Sequence, residues 1–384
     1  MKTPLHLTCA ALLLLAAVVP CGAAPSIQRP SDVSFRHEVQ RAIDKGLGWL
    51  QANQNTNGWW STADHPALTA LALTAFMGEP SGSYQAHPPP AIERGYAFIA
   101  ARAKPDGSIY GKGLQNYNTA ICLMGLTAAH NPRYDPLLRR GRQWLLTQQV
   151  LVPGHPDDPR NGGVGYGDHG PFSDMNNTLT ALEALYYTKY VDADKPAAGK
   201  DLNWAAAIHF IQSCQNLPAV NKAAWVSDEP RDQGGFVYAP GDSKAGSFTN
   251  AQGRVALRSY GSISYAGLLS YIYADLKRDD PRVRAAFDWL RNNYTLDENP
   301  GMGQQGLYYY LHLMTKALTL YGVDPLPAAG GQAVDWRRDV AMKLINLQKA
   351  DGSWANDNGR WWEHDPALVT SYSLMALEIL YPAL

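Results

Sequence analysis

Lys343-Leu344-Ile345-Asn346-Leu347-Gln348-Lys349-Ala350-Asp351-Gly352-Ser353-Trp354 is the stretch that decides the fold. A helix end runs into a glycine turn and then an aromatic residue. The rest of the chain repeats this unit. Trp49, Leu50 and Gln54 lead to Gly58 and Trp60; Phe98 and Ile99 lead to Gly107; Trp144, Leu145 and Gln149 lead to Gly162. Phe210, Ile211 and Gln215 lead to Gly234 and Phe236, and Trp289 and Leu290 lead to Gly301 and Gly303. With the opening stretch these make six occurrences, separated by variable spacers.

Each occurrence is followed by a run of small and apolar residues. The runs are 66–76, 118–129, 177–187, 264–276, 307–321 and 366–380. Their apolar positions recur at three- and four-residue steps, which predicts helix. One helical hairpin cannot bury both faces of such a helix, whereas stacked hairpins can, so tandem helical pairs follow. The fold class expected is all-α, and an open helical solenoid is the alternative to a closed ring.

The Gln348-x-x-Asp351-Gly352-Ser353-Trp354 pattern resembles the repeat of squalene–hopene cyclases and the related protein prenyltransferases, and Gln54 to Trp60 is a looser copy. The resemblance covers most of the chain beyond the leader. It implies an α/α toroid built from six helical hairpins, with the second helices as the inner ring and the first helices outside. In that wider group the central cavity takes apolar isoprenoid molecules.

Met1 to Ala24 reads as a signal peptide, with Lys2 before the apolar segment 10–19 and the small residues Gly22, Ala23 and Ala24 at a cleavage site. The apolar segment is too short for a membrane span. A periplasmic or extracellular protein follows, with residues 25–384 as one domain; Cys21 gives the lipoprotein alternative. The net charge of −1 points to neither nucleic acid nor an anionic membrane. Beyond the leader only Cys122 and Cys214 remain, two repeats apart, and they are read as buried free thiols.

In a toroid the starts of the inner helices surround one mouth. Polar side chains there either cap helices or meet a ligand, by the same dipole physics. Asp174-Met175-Asn176-Asn177-Thr178 resembles the Asp-x-Asp-Asp-Thr stretch of squalene–hopene cyclases. Asp174 matches its first acid, but Asn176 stands at the proton-donating aspartate and Asn177 at the third carboxylate. An amide has no proton to give, so Asp174 is the remaining candidate acid, with a helix cap as its structural alternative. Arg258 and Tyr260 precede the fourth inner run; Arg258 expects an anionic ligand or a salt bridge. Tyr308, His312 and Lys316 fall at four-residue steps on one helix face, and a buried Lys316 requires either a wet cavity or an acid partner. Asp64 and Asp365 precede proline-led helices and are expected caps. Trp361 and Trp362 on the same rim either stack on a ligand or wedge between repeats.

Asp174, Tyr260 and His312 are therefore the candidate catalytic residues. Asn176, Asn177, Arg258, Tyr308, Lys316, Trp361 and Trp362 are the candidate ligand contacts. No metal set with zinc-like spacing and no cofactor motif is present, and the Asp-x-Cys arrangement of the prenyltransferases is missing. Three functions stay open. The first is binding or transformation of a small hydrophobic, isoprenoid-like molecule. The second is a lyase or hydrolase acting on a glycan. The third is a non-catalytic scaffold for a protein partner.

Overall fold

The computed structural model describes residues 32–167, 170, 172–192, 201–250 and 253–384, and the leader lies outside them. The helices are α1 (Val33–Ala52), α2 (Pro66–Gly78), α3 (Ser83–Ala86), α4 (Pro90–Ala101), α5 (Gln115–Ala128), α6 (Asp135–Leu146) and α7 (Met175–Tyr187). They continue as α8 (Trp204–Ser213), α9 (Gly261–Tyr273), α10 (Pro281–Asn292), α11 (Leu307–Tyr321), α12 (Trp336–Leu347) and α13 (Pro366–Leu380). Two small antiparallel hairpins, β1 (Ser247–Thr249) with β2 (Val255–Leu257) and β3 (Leu326–Pro327) with β4 (Ala333–Val334), lie in connections.

Helix α1 is capped at its start by Asp32, which accepts the N–H of Phe35. Its buried residues Phe35, Val39, Ala42, Ile43, Leu47 and Leu50 form one stripe, as an outer helix requires. By contrast, α2 buries nearly every residue from Pro66 to Met77. Such a helix has no solvent face and must be surrounded. The neighbours supply this: α2 packs on α5, α5 on α7, α7 on α9, α9 on α11, α11 on α13, and α13 back on α2. Behind them α4 lies against α2, α6 against α5, α10 against α9, and α1 and α12 against α13. The chain is an α/α toroid, closed by α13 against α2 and α1, and the open solenoid is excluded.

The repeated sequence unit has a repeated physical use. Gln54 donates through Nε2 to the carbonyl of its own Gly58 (3.0 Å) and to that of Ala91 in the next outer helix (2.7 Å). Gln149 makes the same pair of bonds to Gly162 and Asn203, Gln215 to Gly234 and Arg282, and Gln348 to Gly352 and Ala42. The glycines have φ of +94° at Gly58, +100° at Gly107, +98° at Gly162, +95° at Gly234 and +95° at Gly352. A Cβ on any of these five would meet a backbone carbonyl oxygen of the following outer helix at 2.6 Å or less. Only glycine supplies both the left-handed turn and that approach. Two residues after each of these glycines, a backbone N–H is held by a hydroxyl of the inner helix. The pairs are Trp60 with Thr69, Ile109 with Thr119, Val164 with Thr178, Phe236 with Ser264, and Trp354 with Thr370. The motif thus joins three helices: its own outer helix, the next one and the inner helix. The fifth unit departs from this geometry, since Gly301 faces the carbonyl of Ser259 instead.

Cys122 and Cys214 are buried free thiols, as the sequence predicts. The connection between α8 and α9 is ordered in part by Asn216, which accepts the N–H of Ser227 and donates to the Leu257 carbonyl and the Ser259 hydroxyl. No described helix is long and apolar enough to cross a membrane.

Candidate functional site

The inner helices show which of their faces turn to the middle of the ring. Along α5 the residues that keep partial exposure within a buried helix are Tyr117, Ile121, Met124 and Ala128, with only Gln115 besides them at its start. Along α11 they include Tyr309, Lys316 and Thr319. Residual exposure at steps of three and four marks one face of each helix, the face turned to the interior. On α13 the same steps give Tyr372 and Met375, each at 8%, and on α7 Asn176, Thr180 and Glu183.

At the mouth Asp174 caps α7. Its Oδ1 accepts the N–H of Asn177 at 2.9 Å and its Oδ2 accepts the Asn177 side-chain amide at 2.8 Å. Burial pushes its carboxyl up to about 6, and the hydrogen bonds from Asn177 and from the Tyr238 phenol hold it from going further. Asp174 is thus a helix cap, with a carboxyl that burial raises above the usual carboxylate range. Burial, followed by the charge of Asp174, raises the Tyr166 phenol, and Tyr238, Asn177 and Asn176 beside it oppose that rise. Tyr260, fully buried at the start of α9, lies close enough that the charge of Asp174 adds to burial in raising its phenol.

Deeper in the ring, contacts reach across it. The Tyr309 hydroxyl donates to Oδ1 of Asn176, joining α11 to α7, two helices that are not neighbours in the ring. Burial raises the Tyr117 phenol of α5 to about 12, and Tyr372 of α13 lies close enough to affect its ionisation. His312 stacks on Tyr372 with ring centroids 5.4 Å apart. Burial, followed by the charge of Lys316, keeps His312 well below the usual imidazole range, so it is neutral. Lys316 Nζ pairs with Oε1 of Glu183 at 2.7 Å. The acid partner that a buried Lys316 requires is therefore present.

The structure brings Asp174 and Asn177 together at the start of α7, joins Asn176 to Tyr309 of α11, and joins Lys316, one turn beyond His312, to Glu183 of α7. It shifts one member of the predicted line. Tyr309, not Tyr308, reaches across the ring, while the Tyr308 phenol lies within reach of the charges of Glu363 and Asp357. Arg258 is held elsewhere: its Nη1 meets Glu229 at 3.0 Å and Asp232 at 2.8 Å, and its guanidinium lies 3.4 Å over the Phe248 ring. That is the salt-bridge outcome, and none of those partners touches His312 or Tyr372. Trp361 and Trp362 stand exposed on the rim, at φ of +56° and +67°, and Trp362 lies edge-on to His65 with centroids 5.1 Å apart.

The acids of the last rim loop are structural. Glu363 accepts the N–H groups of Tyr308 (3.3 Å) and Tyr309 (2.8 Å) and so caps α11 from another repeat. Asp365 caps α13 through Ala367 and Leu368 and accepts the Ser61 hydroxyl. Asp64 caps nothing: it is exposed, and the start of α2 is held instead by Asn118 Oδ1, which accepts the N–H of Ala67. Among the described residues no three His, Cys, Asp or Glu side chains converge as a metal set; Asp168 and His169 lie outside them.

Sequence reasoning missed Glu183, Tyr117, Tyr166, Tyr238, Tyr309 and Tyr372. Glu183 carried a signal, as the one acid in the apolar run 177–187. The tyrosines carried none, because the same residue type also fills the closed core at Tyr265 and Tyr271.

No family model matches this chain. A squalene–hopene cyclase of Bradyrhizobium diazoefficiens is 26% identical over 218 residues, covering 50% of this chain and 30% of that protein. The match thus spans less than a third of that relative's length. A variant of the type II terpene cyclase MstE from Scytonema, in complex with geranylgeranyl dihydroxybenzoate, superposes with a TM-score of 0.57 at 13% identity, over 92% of this chain and 100% of that one. An α-1,6-mannanase of Salegentibacter in complex with α-1,6-mannotriose superposes with a TM-score of 0.55 at 12% identity, over 90% and 99%. At such identities the superpositions establish the shared toroid and nothing finer.

Proposed function

We propose that this chain is a secreted six-hairpin toroid whose interior binds, and through Asp174 acts on, an isoprenoid-like molecule. The observation that carries the reading is the make-up of the interior. Tyrosine rings from several inner helices line it beside aliphatic residues, and one proton-bearing carboxyl, Asp174, sits at its mouth. Aromatic faces suit an extended unsaturated chain, because they supply apolar contact and favour positive charge over the ring. The sequence likeness to a squalene–hopene cyclase supports the same reading independently of the fold.

Asp174 is the acid in this reading, Tyr166 and Tyr238 position it, and Tyr117, Tyr309 and Tyr372 form the wall. Asn176 stands where the resemblance puts the proton donor itself, so Asp174 has to supply the proton in its place and transfer is expected to be slow or confined to activated substrates. The glycan reading has less support. Asp365, the second carboxyl it would require, is bonded to two backbone N–H groups and to Ser61, and Arg258 is held by Glu229 and Asp232.

The test is native mass spectrometry of the protein purified from its own host and then exposed to lipid and oligosaccharide extracts. A retained isoprenoid mass is expected. Retention of an oligosaccharide, or of nothing from either extract, would sink the proposal.

A further inference from the structure

Accepting the isoprenoid reading, the middle of the ring holds a feature that a pure hydrocarbon would not satisfy. His312 is 5% exposed, and its Nδ1 is buried with no hydrogen-bond partner. One turn along the same helix face is Lys316, paired with Glu183 of α7. On the other side, His312 is covered by the Tyr372 ring. A buried ring nitrogen left without a partner is costly, and a native interior keeps such a group where something else meets it.

The charges nearby decide what that something is. Lys316 is already neutralised by Glu183 at 2.7 Å. An anionic head group would have to face Glu183, and a cationic one Lys316. A neutral imidazole offers one acceptor and one donor. The group that matches both, without charge, is a hydroxyl. We propose that His312 and the Lys316–Glu183 pair form a polar subsite, set between the tyrosine walls, for the hydroxyl of an isoprenoid alcohol or of a prenylated compound carrying one.

The measurement is calorimetric titration of the mature protein with farnesol and with β-farnesene, which share a carbon count, the second having a further double bond in place of the hydroxyl of the first. Farnesol is expected to bind about tenfold more tightly. In His312→Leu the ratio of the two affinities should fall to near one. In His312→Gln, which keeps an acceptor and a donor, the preference should persist. Nitrogen NMR of the histidine side chains during the same titrations requires no variant, and farnesol alone should move the His312 signal. Equal affinity for the two compounds, or a His312 signal indifferent to both, would overturn the hydroxyl subsite and leave the isoprenoid reading standing. Binding of neither compound would overturn that reading and the subsite with it.

Discussion

Gln348 donates through Nε2 to the carbonyl of Ala42 at 2.9 Å, across 306 residues of sequence. The same nitrogen holds Gly352, whose φ of +95° puts its Cα against the Lys45 carbonyl of the same helix, α1. The last repeat is thereby fastened to the first by the device that joins earlier repeats to their successors. The joint that closes the ring on α1 is thus made by the same bond as those at Gln54, Gln149 and Gln215.

Gly352→Ala should therefore destabilise the protein by at least about 2 kcal/mol, since it combines an unfavourable φ with a Cβ 2.6 Å from the Lys45 carbonyl oxygen. Gly82→Ala is the control. Its φ of +71° is also left-handed but nothing lies within 4 Å, so about 1 kcal/mol is expected. Urea unfolding of both variants checks the pair. Equal losses would mean that the contact with α1 contributes nothing.

Breaking the interior ion pair from one side should be worse than removing it. Lys316→Met and Glu183→Leu each leave a largely buried charge alone. The loss expected is about 2 kcal/mol, below the usual range for fully buried pairs because the side chains keep 20% and 10% exposure. The double variant Lys316→Met with Glu183→Leu should recover most of it. A thermodynamic double-mutant cycle measures the coupling, and strictly additive losses would refute it.

Glu363 fastens α11 through two backbone N–H groups and accepts the Asn356 amide at 2.7 Å. Glu363→Ala removes all of these acceptors and should cost about 2–3 kcal/mol, while Glu363→Gln, which keeps one, should cost less. Hydrogen exchange localises the effect. The N–H groups of Tyr308 and Tyr309 should lose protection before those of α9.

Asp174 imposes a pH dependence with a definite sign. Its folded carboxyl is raised from 3.8 to about 6, so the folded protein keeps the proton over a range where the unfolded chain has lost it. The stability it contributes is full below about pH 3.8 and is lost as the pH rises toward about 6. Asp174→Asn removes this loss while keeping a capping side chain. Its stability relative to the natural protein should rise by on the order of 2 kcal/mol between pH 4 and pH 7. Glu363 and Asp232 are shifted in the same direction, so the difference between the two proteins, not either curve alone, is the readout. A difference that does not change with pH would show that Asp174 ionises normally.

Much of this is written in local sequence. The order of outer and inner helices follows from apolar steps of three and four, and from runs such as 66–76 that leave no polar face. Asp365 as a cap and the buried thiols follow from residue type and position alone, because the forces involved act within a turn or within one residue's own surroundings. The glycine turns were legible as a repeat, although what they touch was not.

The interior was decided by tertiary structure. Whether Tyr308 or Tyr309 faces the middle of the ring depends on a rotation of about 100° between consecutive helical residues. That rotation is fixed by how α11 packs on α9 and α13. Lys316 announced a need for a partner, but its partner lies 133 residues away on a helix that is not its neighbour. Asp174 reads in sequence as an ordinary helix cap. Only the ring folded around it removes the water that would keep its carboxyl acidic, because desolvation belongs to the whole assembly of helices and not to any one segment.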